Sequence, residues 1–296
     1  MRTVGVVVHP RRSLDNALGT LEAWATERDV EIVQIPVPGQ DRVVAPFGVA
    51  ADCEFIIALG GDGTVLAALH AAALAGKPVL GVGCGSLGAL TSVHANHIAE
   101  GLDRVLAGDW IPRRLPALRI EDDAGMSHRA LNDFVFIRGG AGQVSLSVTV
   151  DDELYIRFGG DGLVLATSLG SSAYTLAANG PLLAPSAVGM VITPLAPHGG
   201  SCPPLVVGPD STLEVSVECG HGGARLEADG RTADDFDRFE SRRMTIRLLS
   251  DHATLAVLDD QEPMLAGLRR RRIVMDSPRL LARDDRHAAA AAAAAE

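Results

Sequence analysis

The chain has 296 residues, of which 47% are hydrophobic and 21% are charged, and its formal net charge is −11. This length suffices for two modest domains that each bury a hydrophobic core. The excess of acidic over basic residues argues against a nucleic-acid-binding face. No apolar run approaches the length of a membrane-spanning helix. The first residues lack the pattern of a secretory signal. We therefore expect a cytoplasmic protein that has neither a nucleic acid nor a membrane as its partner.

The first third of the chain alternates between apolar, strand-like runs and segments with helical spacing. The predicted strands are TVGVVVHP (3–10), VEIVQIP (30–36), CEFIIALG (53–60) and KPVLGVG (77–83). The predicted helices are SLDNALGTLEAWATERD (13–29), TVLAALHAAALAG (64–76) and ANHIAEGLDRVLAGD (95–109). Strands that alternate with helices at this spacing predict right-handed βαβ units and a parallel, doubly wound sheet in an α/β domain.

The rest of the chain consists of strand-like runs with little helix between them. Leu146, Val148 and Val150 alternate with polar residues, and Asp151-Asp152 predicts a turn into a second strand. This part is therefore predicted to be a β-rich, mostly antiparallel domain.

We place the domain boundary between Pro112 and Pro116, where the pattern changes. The predicted division is an α/β domain over 1–114, a β-rich nucleotide and substrate domain over 115–260, a C-terminal segment over 261–286 and a tail over 287–296. We expect the segment 261–286 to pack back on the α/β domain. The tail is almost all alanine and takes no part in the fold prediction.

A glycine-rich turn, Gly60-Gly61-Asp62-Gly63-Thr64, joins the third predicted strand to a helix. In an open α/β sheet, ligands bind at this carboxyl edge of the strands. Glycines allow close approach, and a helix N-terminus offers unpaired N–H groups to phosphate. A tight turn with Asp62 as N-cap is the alternative, but three glycines and Thr64 favour a phosphate site. Because a carboxylate repels phosphate, Asp62 must have a task other than phosphate binding.

A second glycine-rich stretch, GVGCGSLG (81–88), follows the fourth predicted strand. Gly83, Gly85 and Gly88 fit the pattern G-x-G-x-x-G of dinucleotide-binding folds. That pattern belongs to the first βα unit of such a fold and needs an acid at the end of the next strand, and neither condition is met here. We therefore interpret the stretch as a nucleotide-contacting loop, with Gly85, Leu87 and Gly88 as contacts.

A third segment, GGDGLVLATSLGSSAYTLAANGP (159–181), combines glycines with small hydroxyl residues. Hydroxyl groups of this kind suit hydrogen bonds to phosphate or ribose, and an aromatic ring can pack on a base. Ordinary turn chemistry is the alternative, but the density of small polar residues favours binding. The candidate residues are Asp161, Thr167, Ser171, Ser172 and Tyr174.

Six motifs in this order make the chain resemble the ATP-NAD kinase family. More distantly, the chain resembles the diacylglycerol kinases, the sphingosine kinases and the phosphofructokinases. The six motifs are GGDGTVL (60–66), GSLGALT (85–91), ALND (130–133), GDGLVLATSLGSSAYTLAANGPLLAP (160–185), ITPLAPHGGSCPPLVV (192–207) and EADGR (227–231). The resemblance implies a two-domain kinase with its substrate in the cleft, ATP and Mg²⁺ as cofactors, and a homodimer or homotetramer. The implied reaction transfers the γ-phosphate of ATP to the ribose 2′-hydroxyl of NAD and forms NADP.

The same resemblance implies roles for individual residues. The glycines around Asp62 would hold phosphates, while Asp62 would orient or deprotonate the acceptor hydroxyl. Asn132 and Asp133 would bind the other ribose of NAD or its neighbouring groups, since an amide and a carboxylate suit diol hydroxyls. The nucleotide pocket would be lined by Asp161, Thr167, Ser171, Ser172, Ala173 and Tyr174.

Three departures from the family pattern concern the acceptor pocket. Asp133 stands where the family usually has Glu, Ala89 where it usually has an aromatic residue, and Ala177 where it usually has Ser. Two alternatives therefore stay open: a related kinase that acts on another hydroxylated molecule (a nucleoside, sugar or cyclitol), and a non-catalytic NAD(P)-binding sensor. The sequence also leaves the donor open between ATP and polyphosphate.

Overall fold

The computed structural model of the chain describes residues 2–85, 88–184, 186–258, 264–270 and 272–293. The chain forms two compact units, Met1–Leu258 and Asp259–Glu296.

The first unit begins with a parallel sheet covered by helices. Its elements are β1 (Arg2–Val8), α1 (Asp15–Glu27), β2 (Val30–Gln34), β3 (Ile56–Gly60), α2 (Asp62–Ala73), β4 (Pro78–Gly83), β5 (Val93–His94) and α3 (Ile98–Leu106). The strands lie in the order β4-β3-β1-β2, and each pairs with its neighbour in parallel. The predicted parallel α/β sheet is confirmed.

Helices lie on both faces of this sheet because successive strand residues point to opposite sides. On one face, Leu21 and Trp24 of α1 and Leu102 of α3 join the buried residues of β1 and β3 in one core cluster. On the other face, Val65 and Leu69 of α2 join a second cluster. Two buried faces explain why these strands read as continuous apolar runs.

The rest of the first unit is almost entirely β. Its strands are β6 (Ile111–Asp122), β7 (Ser127–Ala130), β8 (Asp133–Arg138), β9 (Val144–Val150), β10 (Glu153–Gly160), β11 (Gly162–Thr167), β12 (Met190–Leu195), β13 (Leu205–Val207), β14 (Leu213–Glu218), β15 (Ala224–Ala228), β16 (Arg231–Phe236) and β17 (Ser241–Val257). One short helix, α4 (Tyr174–Ala177), and three short 3₁₀ turns, Ala50–Asp52, Ala95–His97 and Gly170–Ser172, complete the unit.

Two long strands join the two predicted domains in one sheet. β17 pairs in parallel with β4 near Thr254 and antiparallel with β14 earlier along the strand, and β6 pairs with it on both sides of a register shift. The result is an 11-stranded sheet. Since β6 runs through residue 114, the two predicted domains share this sheet.

A second sheet of six antiparallel strands, in the order β13-β12-β11-β8-β15-β16, completes the β-rich part. Phe134 and Phe136 of β8 share one buried cluster with Leu146 and Val148 of β9 and Val215 of β14. The second sheet therefore packs face to face on the antiparallel part of the first. The β-rich composition predicted for this region is confirmed.

The turn between β9 and β10 confirms the hairpin predicted at Asp151-Asp152. Val150 pairs with Glu153 across the turn, and both aspartates have positive φ, 48° and 67°. Two-residue hairpins favour this conformation because its twist matches that of the strands, and Asp is among the residues that tolerate it.

The second unit contains two helices, α5 (Met264–Arg270) and α6 (Pro278–Ala293). The packing of 261–286 on the α/β domain stays a prediction. No helix among the described residues is both long enough and apolar enough to cross a membrane.

Candidate active site

The carboxylate of Asp62 is held between two loops at the carboxyl edge of the parallel sheet. β3 ends at Gly60, Gly61 is extended, and α2 begins at Asp62. The backbone N–H of Ala89 donates to Oδ2 at 3.0 Å, and that of Leu90 donates to Oδ1 at 2.9 Å. Because a carboxylate can accept about four hydrogen bonds, it keeps acceptor capacity for a substrate.

Gly88 is required by this arrangement. A Cβ atom on Gly88 would lie 2.0 Å from Asp62 Oδ1 and 2.5 Å from its Cγ. Gly60 has a comparable packing role, since its Cβ would lie 2.2 Å from the hydroxyl of the buried Thr64. Leu87, predicted as a contact of the same loop, lies outside the described residues.

Gly61 and Gly63 face open space. A Cβ built on either residue meets no atom within 4 Å. Both line a cavity of about 290 Å³, whose walls come from the ends of β1 and β3, the start of α2 and the loop after β2. Bare backbone at a helix N-terminus, facing a cavity, is suited to phosphate. The phosphate-binding role of these glycines stays a prediction, and the open cavity leaves room for it.

Three basic side chains also line this cavity: His9, Arg12 and Arg231. Arg12 Nη1 donates to the carbonyl of Cys84 at 2.9 Å, and the backbone N–H of Arg12 donates to His9 Nδ1 at 3.0 Å. Gly85, with φ of +156°, lies against the same guanidinium. The loop after β1 is thereby fixed with positive charge beside the glycines.

The loop Leu131–Asp133 is anchored by Asp229, which lies in the turn between β15 and β16. The Asp229 carboxylate accepts backbone N–H groups of Leu131 at 2.9 Å, Asn132 at 2.6 Å and Asp133 at 3.1 Å. Its fourth partner is His70 of α2, whose Nε2 lies 2.6 Å away. The predicted pair Asn132-Asp133 is therefore connected to the helix that carries Asp62.

The carboxyl group of Asp133 lies in an unusual electrostatic environment. The residue is only 5% exposed. Burial, reinforced by the charges of Asp229 and Glu227, raises the pKa of its carboxyl group to about 7. By contrast, the hydrogen bonds from His70 and from backbone N–H groups outweigh burial and lower the pKa of Asp229. The two carboxyl groups therefore divide into one that is ionised and one that titrates near neutral pH.

The segment predicted as the nucleotide pocket lies beside Asn132, but its hydroxyl groups differ in role. Thr167 and Ser171 are fully buried. Thr167 Oγ1 donates to the carbonyl of Leu131, and Ser171 Oγ donates to that of Ser168 and accepts the N–H of Leu183. These two hydroxyls shape the loop from within, so they do not lie open to a ligand as the sequence reasoning assumed.

Other residues of that segment are accessible. Ser172 is half-buried, Ala173 is exposed and Tyr174 is 39% exposed. Gly170 allows the close approach of this turn to the acceptor loop, since a Cβ on it would lie 2.0 Å from the carbonyl oxygen of Asn132.

Asp161 is not brought into this group. It precedes β11, whereas Thr167 ends the same six-residue strand, so about 20 Å separate them. Its carboxylate pairs with Arg138 Nε at 2.6 Å at the far end of β8 from Asp133. Within one chain, Asp161 therefore stands apart from the other predicted site residues.

Sequence reasoning missed five residues of the site: His9, Arg12, His70, Asp229 and Arg231. A signal existed for the first two, because HPRR (9–12) follows β1 and parallel strands end at one edge of a sheet. Asp229 and Arg231 lie in EADGR (227–231), which was noted only as one motif of the family resemblance. The contact between His70 and Asp229 joins residues 159 positions apart and leaves no local pattern.

A fixed carboxylate beside a glycine cradle and a basic cavity defines a phosphotransferase that acts on an alcohol. Two family models match the chain: the ATP-NAD kinase N-terminal domain over residues 19–110 and the ATP-NAD kinase C-terminal domain over residues 131–246. The NAD kinase of Chlorobaculum tepidum is 33% identical over 216 residues, which are 71% of this chain and 76% of that protein. The chain belongs to the ATP-NAD kinase family.

Other comparisons cover different shares of the chain. The NAD kinase of Nocardia farcinica is 40% identical over 121 residues, 38% of this chain and 37% of that protein. Yeast NADH kinase, solved in complex with NADH, has a TM-score of 0.74 at 20% identity and covers 94% of this chain and 89% of its own. The NAD kinase of Archaeoglobus fulgidus, solved with ATP, has a TM-score of 0.70 at 22% identity and covers 93% and 100%. At these identities the two structures show the shared fold, which confirms the predicted fold class.

We expect Gly88→Ala to reduce kcat by about 10- to 100-fold, because the new methyl group displaces the Asp62 carboxylate by an ångström or more. Initial rates of ADP release with ATP and NAD measure the effect. In an Asp62→Asn background, Gly88→Ala should lower kcat little further, since the carboxylate that it displaces is already absent. Additive losses in the double variant would contradict this explanation.

We expect Asp133→Asn to remove a pH dependence of stability. The folded-state pKa is raised from 3.8 to about 7, so the folded protein binds an extra proton and loses stability as pH rises from about 4 to about 7. At pH 8 the variant should be more stable than the natural protein by at most about 4 kcal/mol, and near pH 4 this advantage should vanish. Urea unfolding across this range tests it, and parallel curves for the two proteins would contradict it.

Proposed function

We propose that this chain transfers the γ-phosphoryl group of ATP to the ribose 2′-hydroxyl of NAD and so produces NADP. The observation that carries the proposal is the placement of Asp62, whose carboxylate is fixed where the glycine cradle meets the loop Gly88–Leu90. The two matching family models and the curated NAD kinases support the donor and the acceptor.

The donor side is the basic cavity of about 290 Å³ at the start of α2. Backbone N–H groups of the first turn of α2 face the phosphates and contribute the positive end of the helix dipole. Arg12 and Arg231 supply full charges that suit a polyanion. A triphosphate therefore has both directional donors and compensating charge.

The acceptor side is the loop that carries Asn132 and Asp133. Both backbone groups of Asn132 are used within the fold, the N–H by Asp229 and the carbonyl by Thr167. In the proposal, its side-chain amide binds a ribose hydroxyl, and the Asp133 carboxyl group accepts a hydrogen bond from another. Ser172, Ala173 and Tyr174 line the accessible part of the neighbouring turn. Thr167 and Ser171 contribute by holding that turn in shape.

The reaction needs one proton transfer and one substitution at phosphorus. Asp62 takes the proton of the 2′-hydroxyl as that oxygen forms a bond to the γ-phosphorus. The bond from the γ-phosphorus to the β,γ-bridging oxygen breaks, and ADP leaves. Because phosphoryl transfer is limited mainly by positioning and charge neutralisation, the two backbone hydrogen bonds that fix Asp62 serve the chemistry directly.

Mg²⁺ remains part of the proposal. Within the described ranges, no group of three or more His, Cys, Asp or Glu side chains is arranged around a metal position. Protein-bound Mg²⁺ commonly has substrate phosphates and only one or two carboxylates as ligands, and Asp62 beside the cradle fits that pattern. The phosphates of ATP and Asp62 would hold the ion, which neutralises phosphate charge when bound.

The cytoplasmic location and the homodimer or homotetramer expected from the family resemblance also belong to this proposal. Asp161 keeps its proposed role as a substrate contact on the strength of that resemblance.

Asp62→Asn should abolish NADP formation, lowering kcat by at least about 100-fold, because an amide cannot take the hydroxyl proton. The assay uses purified protein with ATP, Mg²⁺ and NAD, beside nucleosides, sugars and cyclitols as acceptors. NADP formation by the natural protein that is lost in the variant supports the proposal. Turnover of another acceptor without NAD would establish a different kinase, and binding without any turnover would establish a sensor.

Gly63→Ala should weaken the binding of the phosphate donor, ATP, while leaving the fold intact. Its methyl group would enter open space on the cavity wall, so we expect the KM for ATP to rise by about tenfold. Ala is the better helix former by roughly 0.5–1 kcal/mol, so thermal stability should rise. Gly19→Ala, in the middle of α1 and equally open, is the matched control: it should stabilise without changing kinetics. If the KM for ATP stays unchanged in Gly63→Ala, the phosphate-binding role assigned to this turn is contradicted.

A further inference from the structure

Asp229 links three separate parts of the first unit through one carboxylate. Its side chain is 7% exposed, and its backbone is held in the left-handed region with φ of +49°. Three consecutive backbone N–H groups of the loop Leu131–Asp133 and the Nε2 atom of His70 surround it. A buried carboxylate with this many donors is well satisfied and therefore fixed in position.

We infer that His70 and Asp229 form a positioning pair, which sets the place of the acceptor loop Leu131–Asp133 relative to the helix that carries Asp62. The pair acts through Asn132 and Asp133 and touches no reacting atom. The inference rests on the proposed function, in which that loop binds the ribose of the acceptor.

The geometry of α2 makes this connection direct. His70 follows Asp62 by eight residues in one uninterrupted helix, a separation of about 12 Å along its axis. A helix of this length transmits position without bending much. Asp62 and the contact to Asp229 are therefore two fixed points on one rigid body, while Asn132 and Asp133 are held from the other side by the same carboxylate.

The charge of Asp229 also contributes, after burial, to the protonation of Asp133. Asp229 is one of the two negative neighbours that, together with burial, raise the pKa of Asp133 to about 7. When Asp229 loses its charge, Asp133 should ionise at a lower pH.

Other titratable groups surround the pair on each neighbouring element. His70 lines a 370 Å³ cavity together with side chains of β7 and β16. On β17, His252 has its pKa lowered by burial and by the charges of Arg129 and His70. On the carboxylate side, the neighbours come from β8 and β15. These groups are His128, Arg129, Arg231, His252, Asp133 and Glu227.

Kinetics of three single variants test the positioning role. We expect His70→Ala to raise the KM for NAD, and so to lower kcat/KM for NAD, by about tenfold or more, as for loss of a hydrogen bond to a charged group, with KM for ATP changed less than about twofold. His70→Gln retains a donor near the Nε2 position and should restore most of the loss. His128→Gln, in the same cavity, is the matched control and should behave like the natural protein.

The pH profile supplies a readout that simple loss of stability does not move. The acid limb of kcat/KM for NAD should have a midpoint near pH 7 in the natural protein, and Asp229→Asn should move this midpoint to lower pH. An unchanged midpoint in Asp229→Asn would overturn the inference. So would a His70→Ala variant whose kcat falls while KM for NAD stays constant, or whose kinetics match those of His128→Gln.

A measurement without substrate separates this inference from the proposed function. Backbone amide resonances of Leu131, Asn132 and Asp133 should shift in His70→Ala and remain in place in His128→Gln. The carboxyl resonance of Asp133 should titrate at lower pH in Asp229→Asn. If the natural protein forms no NADP, the proposed function fails. If these resonances do not respond, the positioning pair fails, whatever the acceptor is.

Discussion

The site depends on the two backbone hydrogen bonds that fix the carboxylate of Asp62. They exist because β3 and β4 are adjacent and parallel, so the turn after one strand and the loop after the other meet at the same edge of the sheet. Gly88 makes the approach possible, since any side chain there would occupy the space of the carboxylate. A group that would repel phosphate is thereby held in a fixed position beside the glycine-rich turn.

A second constraint is the continuity of the fold across the two predicted domains. β6 and β17 extend the parallel sheet into the antiparallel one, and the second sheet packs on that extension. Asp229 lies on a turn of this second sheet and reaches α2 through His70. The turn Gly60–Thr64, which contains Asp62, and the loop Leu131–Asp133 thus come from distant parts of the sequence, but belong to one connected framework.

Local sequence patterns predicted the parallel α/β sheet, the Asp151-Asp152 hairpin and the placement of Asp62, because each depends on residues close together in the chain. They did not predict that Thr167 and Ser171 point inward. The sequence does not show whether the hydrogen-bond partner of a hydroxyl side chain is a ligand or a backbone carbonyl. They also missed His70, Asp229 and Arg231, whose roles arise from contacts over long sequence distances. The separation of Asp161 from the other predicted site residues was also not predicted, because the motif that contains it extends along a whole strand and its ends lie far apart.

The most direct test of this account is the position of the transferred phosphoryl group. Protein, ATP, Mg²⁺ and NAD are incubated, and the phosphorylated dinucleotide is analysed by ³¹P and ¹H nuclear magnetic resonance. The account predicts one new phosphate monoester, coupled to the 2′ proton of the adenosine ribose. A phosphate on the 3′-hydroxyl, on the nicotinamide ribose or on neither ribose would contradict it.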